Sequence, residues 1–327
     1  MKRKRSPPSE QRRLAELIRT GAPVVVLTGS GLSAPSGIPT FRGPDGLWAS
    51  YIMEWGTRAK FEEDPEAWWN EFWLPAHVHD RTFEPNVAHA AISTIARAHP
   101  GVCIVTQNID GLHEKSGVPA AQLAEVHGVA SLQKCIRAGC RYASTESITA
   151  APLRFAPTDP SNPPGRSSTV AGLAAKSERR KLAALPRCPE CGKPTMPQSL
   201  FFDETYESHA FYQYRRVRRW FERMRALVLV GTSCAVNITL DAIEHAARRG
   251  LPVHNYNVST WEELLREHLA GQDLPRHLHV ADVRGDCTQT VPALASLVLG
   301  TVAAPAVTSL ATEAQQKHGS ALEGSIS

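Results

Sequence analysis

A chain of 327 residues, 42% hydrophobic and 21% charged, has room for one large folded unit or two modest ones and the balance of a globular protein. Its net charge of +4 hides an asymmetry. Residues 1–20 carry seven Lys and Arg against two Glu, a net +5, so the remainder stands at −1 and no basic binding face is expected on the fold. Seven cysteines, an odd count, argue against a disulfide framework, and no apolar run follows Lys2–Arg5 or is long enough to span a bilayer.

The first 20 residues read as a basic, largely disordered tail, with a short helix open to residues 10–20 through Leu14, Leu17 and Ile18. Nucleic-acid contact through this tail is not favoured. The cytoplasm is the expected compartment, a nucleus being the alternative if the basic end serves as an import signal.

Val24–Leu27 is an apolar β-branched run, a buried strand, and it breaks at Thr28-Gly29-Ser30-Gly31. Strand, glycine turn and helix start are the geometry that sets free N–H groups and a helix dipole against a phosphate. No Lys-Ser/Thr pair follows, so a dinucleotide pyrophosphate fits better than a P-loop. Residues 50–83 carry Trp55, Phe61, Trp68, Trp69, Phe72 and Trp73 at helical spacing and read as a small helical segment with an aromatic core. His89–Ala98 is a helix candidate. Val102–Val105 is a second buried strand running into Thr106-Gln107-Asn108-Ile109-Asp110-Gly111, where α/β sheets place ligand contacts. His113 reads as structural or exposed.

His127 follows, between that polar strand end and a cysteine pair. Cys135–Cys140 and Cys188–Cys191 form two close pairs, which read as a four-thiolate structural zinc site; a redox Cys-x-x-C would leave the other pair unexplained. Residues 141–187 between them, rich in Pro, Ser, Ala and Arg, read as a disordered insertion, with one short helix near Leu173–Leu185. Ser199–Glu204 is read as a strand returning to the main body, and Phe211–Arg225 as a basic helix. Leu227–Val230, Val253–Asn257 and Leu278–Val283 are further strands, the first ending in Gly231-Thr232-Ser233, with helices over Asp241–Arg249 and Val291–Leu299 and a polar tail over 303–327.

Alternating strands and helices imply an α/β fold: a Rossmann-like, doubly wound parallel sheet with an inserted small zinc-binding module and a small helical segment. The boundaries follow: one domain over 21–302, with its core over 21–49, 84–131 and 205–302, the helical segment over 50–83 and the zinc module over 132–204.

Gly29–Ala34, Ser36–Gly43, Thr106–Asp110, Val126–Gly128, the four cysteines, Gly231–Ser233 and Asn257 occur in one order that resembles the sirtuins, the NAD-dependent protein-lysine deacylases, in their bacterial-like form. The resemblance runs from about Val24 to Leu299. It implies that Gly29, Ser30 and Gly31 hold the pyrophosphate by backbone N–H groups, with Ser33 and Pro39 in the same cofactor-binding stretch, Arg42 adding charge and Phe41 covering the reactive sugar. Gln107 and Asn108 would bind the nicotinamide ribose, Ile109 and Asp110 the nicotinamide amide, and Gly231, Thr232, Ser233, Asn257 and the Cys287 backbone the adenosine end. Nicotinamide would leave, the acyl oxygen of a modified lysine would attack the sugar carbon, and His127, paired with Asn108 as the catalytic residues, would act as base on a ribose hydroxyl; an ordinary imidazole pKa near 6.5 suits that task. NAD would be consumed, zinc would be structural, and the partner would be an acyl-lysine protein or peptide.

Departures from the family are visible. Ser30 stands where Ala is usual, and Asp203 where the substrate strand usually has Gly. The branch that removes succinyl and malonyl groups carries a Tyr-x-x-Arg pair; here Phe72 and Pro75 align with it, which favours neutral acyl groups, acetyl first. Competing readings are mono-ADP-ribosyl transfer or NAD hydrolysis on the same fold, and a non-catalytic zinc-ribbon adaptor.

Overall fold

The computed structural model describes residues 7–40, 52–74, 83–143, 145–149, 153, 181–269 and 278–300. Six strands form one parallel sheet in the order β3-β2-β1-β7-β8-β9: β1 Val24–Thr28, β2 Val102–Thr106, β3 Leu123–Glu125, β7 Ala226–Val230, β8 Val253–Asn257 and β9 Val280–Arg284. β1 and β7 are buried at every position, as strands covered on both faces must be. Their register pairs Thr28 with Thr106 and with Val230, so the first three strand ends are level.

Helices cover both faces. On one side α1 Pro7–Arg19, α3 Val87–Ala98 and α8 Cys287–Leu299 bury Leu14, Ile18, Ile92, Ile95 and Leu294 against β1 and β2. On the other, α5 Tyr214–Arg223, α6 Asn237–Arg248 and α7 Trp261–His268 bury Val217, Phe221, Ile243 and Leu264. Two shorter helices among the described residues are α2 Arg58–Glu63 and α4 Leu112–Lys115. Among the described residues no helix is long and apolar enough to cross a membrane.

A second, antiparallel sheet has the order β5-β4-β6: β4 Gly128–Cys135, β5 Ile148–Thr149 and β6 Thr195–Ser199. The aromatic segment packs against this small sheet, Trp69 donating to the Thr195 carbonyl. Pro65–Ala67 runs into a widened π turn, Trp68–Trp73, that buries Trp68, Trp69, Phe72 and Trp73 with Phe61, Met196 and Phe201. Trp68 stacks on Trp73 at 5.7 Å and meets Phe61 edge-on at 5.3 Å.

Four expectations change. The N-terminal segment is not a tail from residue 7 onward: Leu14, Ala15 and Ile18 are each 1% exposed, because the apolar stripe of α1 docks beside α8. The strand expected at Ser199–Glu204 lies earlier, at Thr195–Ser199, and Phe201 to Glu204 form a turn. After the glycine turn the chain makes two 3₁₀ turns, Ser30–Leu32 and Ala34–Ser36, in place of an α-helix, since Pro35 and the left-handed Gly37 stop propagation. The ends of the insertion are ordered: β5 lies within it, and the buried Leu182 donates its N–H to Asn70 at 2.7 Å. Its middle, the expected helix from Leu173 as far as residue 180, and the tail over 303–327 lie outside the described residues.

Candidate active site

The strand order reverses between β1 and β7, and open parallel sheets form their ligand crevice at that switch point, beyond the carboxyl strand ends. Here the two turns meet backbone to backbone. Gly29 donates its N–H to Val230 at 3.0 Å and Gly31 donates to Gly231 at 2.8 Å. A Cβ on Gly31 would stand 2.7 Å from the Gly231 carbonyl oxygen, and one on Gly29 2.9 Å from the Thr232 Cα. These glycines therefore serve close approach of two loops. The expectation that the Gly29 and Gly31 N–H groups hold a pyrophosphate needs correcting, because both are already engaged within the protein.

Other strand ends converge on the same crevice. Asn108, buried, donates from Nδ2 to the Gly29 carbonyl at 3.0 Å and to Ser33 Oγ at 3.1 Å. Ser33 Oγ in turn donates to Asp110 Oδ2 at 2.7 Å, while Asp110 Oδ1 accepts the Leu112 N–H. The Gln107 amide reaches Thr239 at 2.8 Å and Thr232 at 3.3 Å. Asn257, ending β8, donates to the Thr232 carbonyl at 2.8 Å, and Cys287, opening α8, lies 3.7 Å from the Gly31 carbonyl through its sulfur. The structure thus brings Gly29, Ser33, Gln107, Asn108, Asp110, Gly231, Thr232, Asn257 and Cys287 into one linked network. Ser30 and Ser233 are half-buried in the same two turns, Ile109 packs beside the aromatic cluster, and Pro39 is exposed. Phe41 and Arg42 lie outside the described residues. Small side chains and backbone line this crevice, with fixed amides at both ends, a donor and acceptor set that fits a dinucleotide.

His127 follows β3 and precedes β4. Its Nδ1 lies 2.9 Å from the Gln107 carbonyl, an obligate acceptor, so Nδ1 carries the hydrogen and Nε2 presents a lone pair. Burial holds its imidazole at about 4, below the ordinary value, so the ring is neutral at pH 7. The match between an ordinary imidazole pKa and neutral pH does not describe this ring. What the fold supplies is the free base form in a fixed tautomer.

Sequence reasoning missed His127's other partner. Tyr206, in the loop after β6, lies with its hydroxyl 3.1 Å from Nε2 and its ring stacked near the imidazole at 5.8 Å and 18°. It missed a buried network as well. Lys134 on β4 meets Glu204 at 2.5 Å, their side chains 1% and 5% exposed, and Lys134 also donates to Tyr212 and to the Ser199 carbonyl, each at 2.8 Å. Burial lowers the Lys134 ammonium to about 8. Neither pair belongs to a sequence pattern; tertiary folding alone brings them together. Asp203 accepts the Arg58 and Ala59 N–H groups at 2.8 and 2.9 Å, capping α2 and tying this loop to the aromatic segment. His113 is structural and buried, with Nε2 2.9 Å from Thr28. Burial raises the Cys103, Cys234 and Cys287 thiols to about 11, 12 and 11, which makes none of them a ready nucleophile.

The four cysteine sulfurs lie within 4.8 Å of one another, with Cys135 3.5 Å from Cys191 and Cys140 3.7 Å from Cys188. Four sulfurs about 2.3 Å from a tetrahedral zinc stand roughly 3.8 Å apart, so the cluster fits that ion with no position left open. The Arg137 N–H reaches Cys135 Sγ at 3.4 Å, and a Lys193 backbone hydrogen bond holds the Cys191 thiol down at about 7. The module reaches the crevice directly: β4 runs from Gly128 to Cys135, and Leu200 donates its N–H to the His127 carbonyl at 2.9 Å.

Comparison with known proteins agrees with this geometry. Residues 29–238 match the model of the Sir2 family. NAD-dependent deacetylase sir2E of Dictyostelium discoideum is 38% identical over 248 residues, 75% of this chain and 68% of that protein. The mitochondrial NAD-dependent protein deacylase sirtuin-5 of Danio rerio is 32% identical over 244 residues, 72% and 73% of the two chains. A crystal structure of a Sir2 homologue in complex with NAD superposes with a TM-score of 0.61 at 25% identity, covering 88% of this chain and 93% of the other.

Proposed function

The chain belongs to the Sir2 family of NAD-dependent protein deacylases, and on that premise we propose that it removes acetyl and other neutral acyl groups from lysine side chains, with His127 as general base and Asn108 beside it. NAD, consumed as co-substrate, supplies the sugar carbon from which nicotinamide departs. The chain's own residues do the rest. Asn108, Ser33 and Asp110 form a linked set at the β1 and β2 ends that orients the nicotinamide ribose and amide. Gln107 fixes the His127 tautomer through its carbonyl and meets Thr232 through its side chain. Thr232, Ser233 and Asn257 hold the adenosine end. The observation that carries the reading is His127 at the β2 strand end, its tautomer fixed by the Nδ1 contact with the Gln107 carbonyl so that Nε2 is free of hydrogen.

Preference for a neutral acyl group rests on the aromatic segment. Phe72 is 4% exposed and packs on Trp68, so this position offers an acyl carboxylate no charge. Arg58, at the edge of the segment, is engaged with Glu62 and the Ile136 carbonyl, and Pro75 lies outside the described residues. An acyl carboxylate buried without a partner costs about 3 kcal/mol or more, on the order of 100-fold. A panel of otherwise identical peptides should show acetyl-lysine turned over with kcat/KM about 100-fold above succinyl-lysine; equal values would remove the preference. Seven cysteines with no disulfide among them, four of them gathered in one thiolate cluster, support a reducing compartment, the cytoplasm.

A further inference from the structure

We propose that the Tyr206 hydroxyl is a proton relay between the ribose hydroxyl and His127. This rests on the assignment of His127 as base. Nε2 has one lone pair, and the Tyr206 O–H already donates to it at 3.1 Å. A ribose hydroxyl cannot occupy that lone pair while Tyr206 does. Nor is Tyr206 free to leave. Its ring stacks on His127 at 5.8 Å and on Tyr214 at 5.4 Å, with interplanar angles of 18° and 22°. Tyr214 is itself tied to Asp241 at 3.2 Å.

A phenol oxygen that donates its O–H keeps two lone pairs, and one of them can accept the ribose hydroxyl. In the step, the ribose O–H bond breaks and its proton passes to Tyr206 Oη. The proton already on Tyr206 passes to His127 Nε2, and the ribose oxygen forms its bond to the acylated carbon as the π pair between that carbon and the lysine nitrogen moves onto the nitrogen. Tyr206 ends as it began, His127 becomes an imidazolium, and no oxidant or added base is required. Burial raises the Tyr206 phenol to about 12, so it keeps the proton it must donate at neutral pH.

Tyr206→Phe keeps the ring and removes the hydroxyl. In the cofactor-free protein, ¹⁵N NMR of His127 should show an Nε2 that has lost a hydrogen bond while Nδ1 keeps its hydrogen; an unchanged Nε2 signal overturns the contact. With acetyl-lysine peptide and NAD, exchange of labelled nicotinamide, which precedes the proton transfer, should stay within about twofold, while O-acetyl-ADP-ribose formation falls at least about tenfold. Product formation within twofold of wild type overturns the relay and leaves His127 as a direct base. Exchange and product falling together overturn it too, since the hydroxyl then acts before the transfer. Turnover that survives His127→Ala would instead remove the base on which the relay rests.

Discussion

His127→Ala is expected to lower formation of the deacylated peptide by about 10²–10⁴-fold while leaving nicotinamide exchange largely intact. The direction follows from where the side chain sits in the reaction. Departure of nicotinamide needs orientation and charge stabilisation, which the proposed reading gives to the linked Asn108, Ser33 and Asp110, and the bonds among these do not involve an imidazole. Attack by the ribose oxygen needs a proton acceptor, and Nε2 of His127 is fixed for that by the hydrogen on Nδ1 and its bond to the Gln107 carbonyl. The substitution should not unfold the chain, because Gln107 and Asn108 keep their own partners. Single-turnover assays on the variant, read beside its melting temperature, check this; product formed at the wild-type rate would remove His127 from the chemistry.

Cys188→Ser is expected to release zinc, lower the melting temperature and abolish turnover together. Structural zinc in small modules is worth about 10–16 kcal/mol, comparable with the whole stability of a domain, about 5–15 kcal/mol. Cys140 and Cys188 are 4% and 3% exposed, and little apolar core stands behind them. The loss should reach the active site, since β4 links Cys135 to Gly128, the neighbour of His127. Gly128 also pairs with Ser199, and a Cβ on it would stand 1.8 Å from the Gln198 carbonyl oxygen, so this end of the module has no slack. Metal content by elemental analysis, one zinc per wild-type chain and less than one in the variant, is the check; a metal-free variant with unchanged melting and turnover would contradict the structural role.

The main sheet was legible because its central strands are short, apolar runs that stop at small polar turns. Val24–Thr28 and Ala226–Val230 carry that signal undiluted. β3 was not, since three residues cannot show a period. β6 was misplaced for a physical reason. Thr-Met-Pro-Gln-Ser looks unlike a strand, whereas Phe201-Phe202 does; yet β6 is an edge strand, where Pro197 is tolerated, and the β4–β6 register shifts between Val129 and Gln133. α7 could have been read: Thr260 and Glu263 form a capping box, which is visible in sequence. α1 shows the opposite error, in which charge at the chain end outweighed the Leu14 and Ile18 stripe.

At the site, residue types were readable and their bonds were not. The glycines at 29 and 31 announced a tight turn, but only the fold shows their N–H groups spent on Val230 and Gly231. Cysteine spacing led directly to the thiolate cluster. Tyr206 and the Lys134–Glu204 pair left no trace, because their partners lie 79 and 70 positions away along the chain.

The most direct test is the fate of the acyl group. Purified protein incubated with NAD and a peptide bearing ¹³C-labelled acetyl-lysine should yield, by mass spectrometry, one nicotinamide and one labelled O-acetyl-ADP-ribose for each deacetylated peptide. Free ADP-ribose with the acetyl group still on the lysine would contradict the account and identify NAD cleavage without deacylation.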